Sequence, residues 1–254
     1  MKASFERLPI MRGLRGLFDS QPVSPPAVPI QDPAMNVNCS EFEVNNWIIS
    51  EFVMGTLVPI VGVHPFPLNE LVLMVSAVCR FRPDHIVEWG THLGKSARIF
   101  HETSKRFGLD MEIHSVDLPD DIVHQEHPGQ ERGILVKGLS GIHLHQGDGL
   151  TVCLEIHNRI GKPSKTLVFI DGDHNHDSVK RELTGVMMHM PEANILLHDT
   201  FFQSAESGYN IGPYQAIAEV MAATPGRYRM LSTQTGLPGM TLLYQLPHFK
   251  VSVL

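Results

Sequence analysis

The sequence predicts an α/β protein with a doubly wound, mostly parallel sheet and a helical N-terminal extension. Two observations support this fold class. Short apolar runs of strand length alternate with segments of helical spacing from residue 83 onward and end in a strand hairpin. Each of the first five predicted strands also ends in an acidic residue, at Glu88, Asp117, Asp148, Asp171 and Asp199. Because the carboxyl ends of parallel strands share one edge, these acids are expected to line a common cleft.

Composition sets the bounds on the class of protein. The chain has 254 residues, of which 43% are hydrophobic and 19% charged, which suits one α/β domain with a terminal extension. A net charge of −7 argues against general nucleic-acid binding, which favours a basic face. No apolar run reaches 18 residues, so no membrane span is predicted. Three widely spaced cysteines are typical of a reduced, cytoplasmic protein.

The chain is predicted to have three parts, with boundaries at 1–36, 37–82 and 83–254. The first is an arm-like extension, because residues 20–36 hold five prolines and residues 1–18 show only loose helical spacing. That spacing fits either a weak surface helix or a frayed, partner-packing terminus. Such an arm favours a homo-oligomer.

The second part, 37–82, is predicted to be a helical lead-in to the sheet domain. The capping-box residues Ser40–Glu43 predict a helix running to about Met54. A loop with three prolines is predicted over 55–67, and a helix over 68–81.

The third part begins with a strand, glycine turn, helix, strand and acid over residues 84–117. Gly90 and Gly94 form the turn, a helix is predicted over 95–107, and Asp117 ends the second strand. A carboxylate there suits a ribose diol, so this unit is predicted to bind a nucleoside-containing cofactor. The alternative is that the two glycines only permit a tight turn. His92 stands where a dinucleotide fingerprint has its central glycine, which disfavours a nicotinamide-linked oxidoreductase.

The remaining elements continue the alternation. The irregular stretch 118–130 is predicted to be a functional or mobile loop. Further strands are predicted over 142–146, 166–170, 194–197, 228–232 and 240–244, and further helices over 150–160, 178–190 and from Ile211–Pro213 to about Ala223.

The motif Glu88-x-Gly90-Thr91-x-x-Gly94-x-Ser96 resembles the first motif of the class I S-adenosylmethionine (SAM)-dependent methyltransferases. Within that class the chain is most similar to the cephalosporin hydroxylase and rhamnosyl O-methyltransferase group, over roughly residues 56–245. The stretches that carry this similarity are 83–91, 169–174, 197–200 and Gly212-Pro213 followed by Ala216-Ile217. The resemblance implies a seven-stranded sheet with an antiparallel last strand and SAM as cofactor. The cofactor-binding residues it implies are Glu88, Gly90, Thr91, Gly94, Ser96, Asp117 at the ribose, Asp148 near the adenine, and Asp171.

The expected activity is O-methyl transfer to a hydroxylated small molecule, such as a sugar or secondary metabolite. A hydroxyl is a poor nucleophile at neutral pH, and two arrangements would activate it. Asp171 and Asp199, with His198, could hold a divalent cation such as Mg²⁺, although catechol-type relatives have a carboxylate or amide beside the second aspartate. Alternatively, His174 or His198 acts as a general base. The catalytic candidates are therefore Asp171, His174 and His198.

Structural roles remain open for several of these residues. His174 could cap the following helix, His198 could donate to a backbone carbonyl, and Asp173 fits an N-cap as well as a metal ligand. Trp89 fits either the cofactor site or the core. His124, His127, His143, His145 and His176 are interpreted as surface residues. An alternative function is a non-catalytic cofactor-binding or assembly subunit of a biosynthetic complex.

Overall fold

The structure, a computed structural model, describes residues 32–36, 39, 41–122, 129, 131–161, 164–202, 206 and 209–245. Its centre is a seven-stranded sheet with the strand order β3-β2-β1-β4-β5-β7-β6. The first five strands of this order pair in parallel, and β7 runs antiparallel to both β5 and β6. The predicted fold class is confirmed. No helix in these ranges is long and apolar enough to cross a membrane.

The strands are β1 (His85–Trp89), β2 (Glu112–Asp117), β3 (Ile142–Gln146), β4 (Thr166–Ile170), β5 (Asn194–His198), β6 (Arg229–Ser232) and β7 (Met240–Tyr244). The α-helices are α1 (Asn46–Phe52), α2 (Val58–Val61), α3 (Leu68–Phe81), α4 (Lys95–Phe107), α5 (Gly149–Ile160), α6 (His176–His189) and α7 (Gly212–Ala223). A π-helical turn, Val53–Leu57, joins α1 to α2.

Helices cover both faces of the sheet because side chains alternate between its faces along each strand. Ile86, Leu167 and Phe169 pack on the face that α1, α3 and α4 cover. Val87 and Val168 pack on the opposite face, against α5, α6 and α7. All five residues of β4 are buried, as expected for a central strand covered on both sides.

The strand order places the candidate cleft. Chain order runs outward from β1 through β2 to β3 on one side, and from β4 through β5 on the other. The direction of winding therefore reverses between β1 and β4. In open α/β sheets, ligands bind outside the carboxyl ends of the strands at such a switch point.

The prediction for the lead-in was wrong in two places. Residues 41–45 are not helical, and the first helix begins at Asn46, where the Asn45 side chain accepts a hydrogen bond from Ile48 N. The predicted capping box therefore does not begin a helix, although Ser40 itself lies outside the described residues. Much of the predicted loop 55–67 is also helical, in the π-helical turn and α2, because Leu57 and Val61 are buried in the core.

The end of the predicted arm packs on the sheet domain. Ala34 is buried, Pro33 O accepts a 2.7 Å hydrogen bond from Asn45 N, and Asp32 forms an ion pair with Arg82. Residues 1–31, with the weak helix predicted there, lie outside the described residues. The domain boundaries at 36 and 82 remain predictions.

Candidate active site

The glycine turn after β1 touches the end of β4. Gly90 has a φ of +96°, and a Cβ atom added there would lie 1.9 Å from the backbone oxygen of Asp171. Asp171 N donates to Trp89 O across 3.3 Å. Position 90 therefore requires glycine, and the turn that precedes α4 adjoins the acid that ends β4.

Asp117 is the acid best placed for a ribose beside this turn. His92 N donates to Asp117 Oδ2 at 2.8 Å, and Leu118 N donates to Asp117 Oδ1 at 2.7 Å. Arg132 Nε lies 3.7 Å from Asp117 Oδ1. Because each carboxylate oxygen accepts two hydrogen bonds, the fixed carboxylate retains capacity for the two hydroxyls of a ribose.

Glu88 lies beneath the turn with three hydroxyl residues. Ser115 Oγ donates to Glu88 Oε1 at 2.6 Å and lies 2.7 Å from Thr91 Oγ1. Glu88, Thr91 and Ser96 are 1%, 4% and 3% exposed, so these predicted cofactor-binding side chains support the turn from inside. Burial raises the pKa of Glu88 to about 7, against the lowering effect of the serine hydroxyls.

Asp148, predicted to lie near the adenine, begins α5. Its Oδ1 accepts hydrogen bonds from Thr151 N and Thr151 Oγ1, which makes it the N-cap of that helix. Its Oδ2 lies 2.6 Å from an Arg181 nitrogen. The Arg181 guanidinium, followed by the Thr151 donors, lowers the pKa of Asp148 to about 2 despite partial burial. The side chain thus has structural partners on both oxygens.

Three side chains converge where β4 and β5 end. One ligand atom each from Asp171, His174 and Asp199 falls within 4.8 Å of the other two. His174 Nε2 lies 2.9 Å from Asp199 Oδ2 and 3.8 Å from Asp171 Oδ1. That nitrogen is buried, yet none of the described residues gives it a hydrogen bond of acceptable geometry. Two carboxylate oxygens and an imidazole nitrogen around one point are donors of the types that divalent cations bind.

Neighbouring side chains fix this cluster. The Asn210 amide lies 3.1 Å from His174 Nδ1, and Tyr209 OH donates to Asp199 Oδ1 at 2.6 Å. Burial lowers the pKa of His174, but the carboxylates of Asp171 and Asp199 outweigh it and raise that pKa to about 10. Burial likewise raises the pKa of Asp199, but the two histidines and Tyr209 bring it below its usual value.

His198, predicted as metal ligand and general base, lies behind the cluster instead. It is 4% exposed, and its Nδ1 lies 2.9 Å from Asp171 Oδ1 while its Nε2 lies 3.1 Å from Glu70 Oε2. Both ring nitrogens therefore face carboxylates. Burial lowers the pKa of His198, but Asp171, Glu70 and Asp199 raise it well above its ordinary value. The three candidate ligands that converge on one point include His174 and not His198.

The other predicted candidates have structural partners. Trp89 is buried in the core between α5 and the sheet, and a Cβ atom at Gly149 would lie 2.3 Å from its ring. Asp173 accepts hydrogen bonds from Asn175 N and Ser178 Oγ at the start of α6. His176 pairs with Asp177 and Glu219 on the surface. His124 and His127 lie outside the described residues.

The sequence analysis missed four residues of this region: Glu70, Ser115, Tyr209 and Asn210. Only Glu70 carried a signal, as the single acid in the apolar helix Leu68–Phe81. A carboxylate among apolar neighbours is costly to bury without a partner, which points to a buried basic group opposite.

Comparison with known proteins agrees with this fold. Residues 87–200 match the model of a family described as a methyltransferase domain. A methyltransferase from Podospora anserina, bound to S-adenosylhomocysteine (SAH), has a similar structure. The similarity covers 78% of this chain and 86% of the Podospora chain, with 16% identity and a TM-score of 0.51. An O-methyltransferase from Streptomyces achromogenes involved in tomaymycin synthesis, in complex with SAM, is similar over 79% and 89%, with 16% identity and a TM-score of 0.52. Among curated proteins, no sequence matches the chain.

At 16% identity, these two structures establish the fold alone. The family match spans β1 to the residue after Asp199, and it therefore includes the glycine turn and all five strand-end acids. Residues 87–200 form a methyltransferase domain, as the resemblance to that class predicted.

Proposed function

We propose that the protein transfers a methyl group from SAM to a hydroxyl of a small molecule, with the help of a divalent cation. The observation that carries this proposal is the contact between Gly90 and Asp171. It joins the turn expected to bind the nucleoside to the cluster of Asp171, His174 and Asp199. A donor and an acceptor bound at adjoining ends of β1 and β4 would meet at this junction.

The nucleoside side of the site is formed by the turn and Asp117. Backbone N–H groups at the start of α4 are available to an anionic or polar group of the cofactor. Asp117, held by His92 N and Leu118 N, accepts the ribose hydroxyls. Beneath the turn, the buried hydroxyls around Glu88 keep it in place.

The acceptor side is formed by the cluster at β4 and β5. Asp171 and Asp199 would hold the cation through oxygen, and His174 through Nε2. Bound there, a divalent cation lowers the pKa of an acceptor hydroxyl and orients its oxygen. His174 must lose its proton to act as a ligand, so cation and proton compete for it. Mg²⁺ suits the two carboxylates, whereas the imidazole also suits Mn²⁺ or Zn²⁺.

The protonation state of His174 also decides whether this residue can act as a general base. With no cation bound, the two carboxylates raise the pKa of His174 to about 10, so its ring holds a proton at neutral pH. A charged ring cannot take the proton of an acceptor hydroxyl. The geometry therefore favours cation-assisted activation over the alternative of His174 or His198 as an unassisted base.

A transfer assay with labelled SAM and a panel of sugars, phenols and catechols tests the proposal, with Mg²⁺ or with a chelator. We expect transfer to at least one hydroxyl compound, lost on chelation and restored by Mg²⁺ or Mn²⁺. Asp171→Asn should abolish transfer while cofactor affinity changes little. The matched control is Asp173→Asn, an exposed neighbour: the amide oxygen still accepts from Asn175 N, and the amide nitrogen can donate to Ser178 Oγ.

The same assay separates the other functions. Tight cofactor binding with no transfer to any acceptor, and no effect of Asp171→Asn, would favour the non-catalytic assembly subunit. Transfer that persists in the chelator would contradict the role of the cation.

We also propose that the protein is a cytoplasmic homo-oligomer. The support is its three free cysteines, two of them buried, and the proline-rich segment 20–36. Light scattering on the full chain and on a chain lacking residues 1–31 tests whether the protein is a homo-oligomer. A monomer in both cases would contradict it.

A further inference from the structure

Four histidines gather on one face of the sheet at its β3 edge. They are His85 on β1, His114 on β2, and His143 and His145 on β3. The rings of His114 and His143 stack with centroids 5.0 Å apart, and those of His85 and His114 stack at 5.5 Å. β1 is the strand of this cluster nearest to β4, and there His85 pairs with Thr166 at the start of β4, whereas Asp171 follows the other end of that strand. The histidine cluster is therefore separate from the candidate active site.

Two pairs of imidazole nitrogens in this cluster have the separation of ligands on one ion. His85 Nδ1 lies 3.3 Å from His114 Nε2, and His114 Nδ1 lies 3.2 Å from His145 Nε2. Two imidazoles bound tetrahedrally, at bonds of roughly 2.0–2.1 Å, place their nitrogens roughly 3.3 Å apart. The two pairs use different nitrogens of His114, at Nε2 and Nδ1. Because a neutral imidazole has a lone pair on only one of its nitrogens, only one of the two pairs can bind an ion at a time.

The surrounding charges favour the pair of His85 and His114. Glu112 is the register partner of His85 on β2, and its Oε2 lies 2.6 Å from His143 Nε2 on the same face. Its carboxylate thus adds negative charge beside this pair. The positive charge of Arg159 acts instead on His145 and disfavours a cation there.

The His114 imidazole, which belongs to both pairs, is neutral at neutral pH. Burial, followed by the neighbouring histidines, lowers the pKa of His114 to about 4. Burial, His143 and Arg159 also lower the pKa of His145. Neutral imidazoles keep the lone pairs that a borderline metal ion needs, whereas hard ions such as Mg²⁺ prefer oxygen.

We propose that His85 and His114 bind one borderline divalent cation, of the class of Zn²⁺, Ni²⁺ or Cu²⁺, which links β1 to β2. Glu112 supplies the neighbouring negative charge. Such an ion binds the folded sheet and not the unfolded chain, so it stabilises the fold in proportion to its concentration. The site is independent of the proposed methyl transfer.

Calorimetric titration of the Asp171→Asn variant with Zn²⁺ in excess Mg²⁺ tests this inference, because that substitution weakens the competing oxygen-rich site. We expect one Zn²⁺ per chain. Adding His85→Gln or His114→Gln should weaken binding by about tenfold or more, whereas His145→Gln should leave it unchanged. Circular dichroism confirms that each variant is folded.

The corresponding readout on the wild-type chain is the thermal unfolding midpoint. Zn²⁺ should raise this midpoint in excess Mg²⁺, and His85→Gln should remove the increase. Absence of Zn²⁺ binding in the Asp171→Asn variant would overturn the inference, and so would unchanged Zn²⁺ affinity after His85→Gln or His114→Gln is added to that variant. In either case the cluster is only a chain of hydrogen-bonded imidazoles.

Discussion

Glu70 and His198 form a fully buried contact beneath the candidate active site. Glu70 Oε2 lies 3.1 Å from His198 Nε2, and Glu70 Oε1 accepts a 2.7 Å hydrogen bond from Gly239 N. His198 Nδ1 in turn lies 2.9 Å from Asp171 Oδ1. Buried charges are costly unless they are paired, and here each one has a partner. The chain of carboxylate, imidazole and carboxylate therefore fixes Asp171 from behind.

Glu70→Gln is predicted to lower kcat for methyl transfer by about 10- to 100-fold, the effect typical of losing a group that orients a metal ligand. Cofactor affinity should change little, because Glu70 does not contact the glycine turn or Asp117. Steady-state kinetics and SAH titration measure the two effects. Glu51→Gln, the same chemical change on an exposed position of α1, is the control. An unchanged kcat in a folded Glu70→Gln variant would remove the positioning role.

Gly90→Ala is predicted to destabilise the fold by more than about 3 kcal/mol and to abolish cofactor binding. The added Cβ would lie 1.9 Å from the Asp171 backbone oxygen, so β1 and β4 would have to separate. Gly108→Ala is the matched control, since Gly108 also has a positive φ, +61°, but nothing lies within 4 Å of an added Cβ. Its cost should be about 1–2 kcal/mol, from backbone strain alone. Denaturant unfolding measures the loss of unfolding free energy in both variants. Equal losses would contradict the close contact between Gly90 and Asp171.

Glu88→Gln is predicted to stabilise the protein at neutral and alkaline pH but not at acid pH. The pKa of Glu88 is about 7 in the fold against 4.5 when exposed, so the folded state binds its proton more tightly. Its contribution to stability is complete below about pH 4.5 and is lost as the pH rises through 7. The loss is on the order of 3 kcal/mol. Glutamine stays neutral and still accepts the Ser115 hydrogen bond.

Denaturant unfolding of both proteins from about pH 4 to about pH 8 measures this difference. Glu182, whose pKa burial also raises to about 7, titrates in both proteins and cancels in the comparison. A constant difference across this range would show that Glu88 does not titrate there.

The sheet and its row of strand-end acids were predictable because both are local patterns. Short apolar runs between turns mark β1, β4 and β5, and the position of each acid follows from its place after such a run. The first helix was less predictable, because Ser40–Glu43 has the residues of a capping box while the burial of Ile49 and Phe52 sets the helix further along the chain.

Within the candidate site, the direction of each side chain determines which histidine lies beside Asp171 and Asp199. Strand alternation places His198 on the same face as Leu196, which is the face that α3 covers. His198 therefore points toward Glu70 and packs edge-on against Phe66. His174 lies in the loop after β4, where no periodicity fixes its direction. Its position depends on contacts with Asn210 and Asp199, which are distant in sequence.

Calorimetric titration of the purified chain with SAH tests the central claim most directly, that the glycine turn and Asp117 form a cofactor site. We predict one SAH per chain. Asp117→Ala should weaken binding by about 10- to 100-fold, the loss of about 1.5–3 kcal/mol for hydrogen bonds to a charged group. Asp177→Ala, the same chemical change on an exposed carboxylate of α6, should bind as wild type. Absence of SAH binding, or equal affinity in the Asp117→Ala variant, would contradict the account.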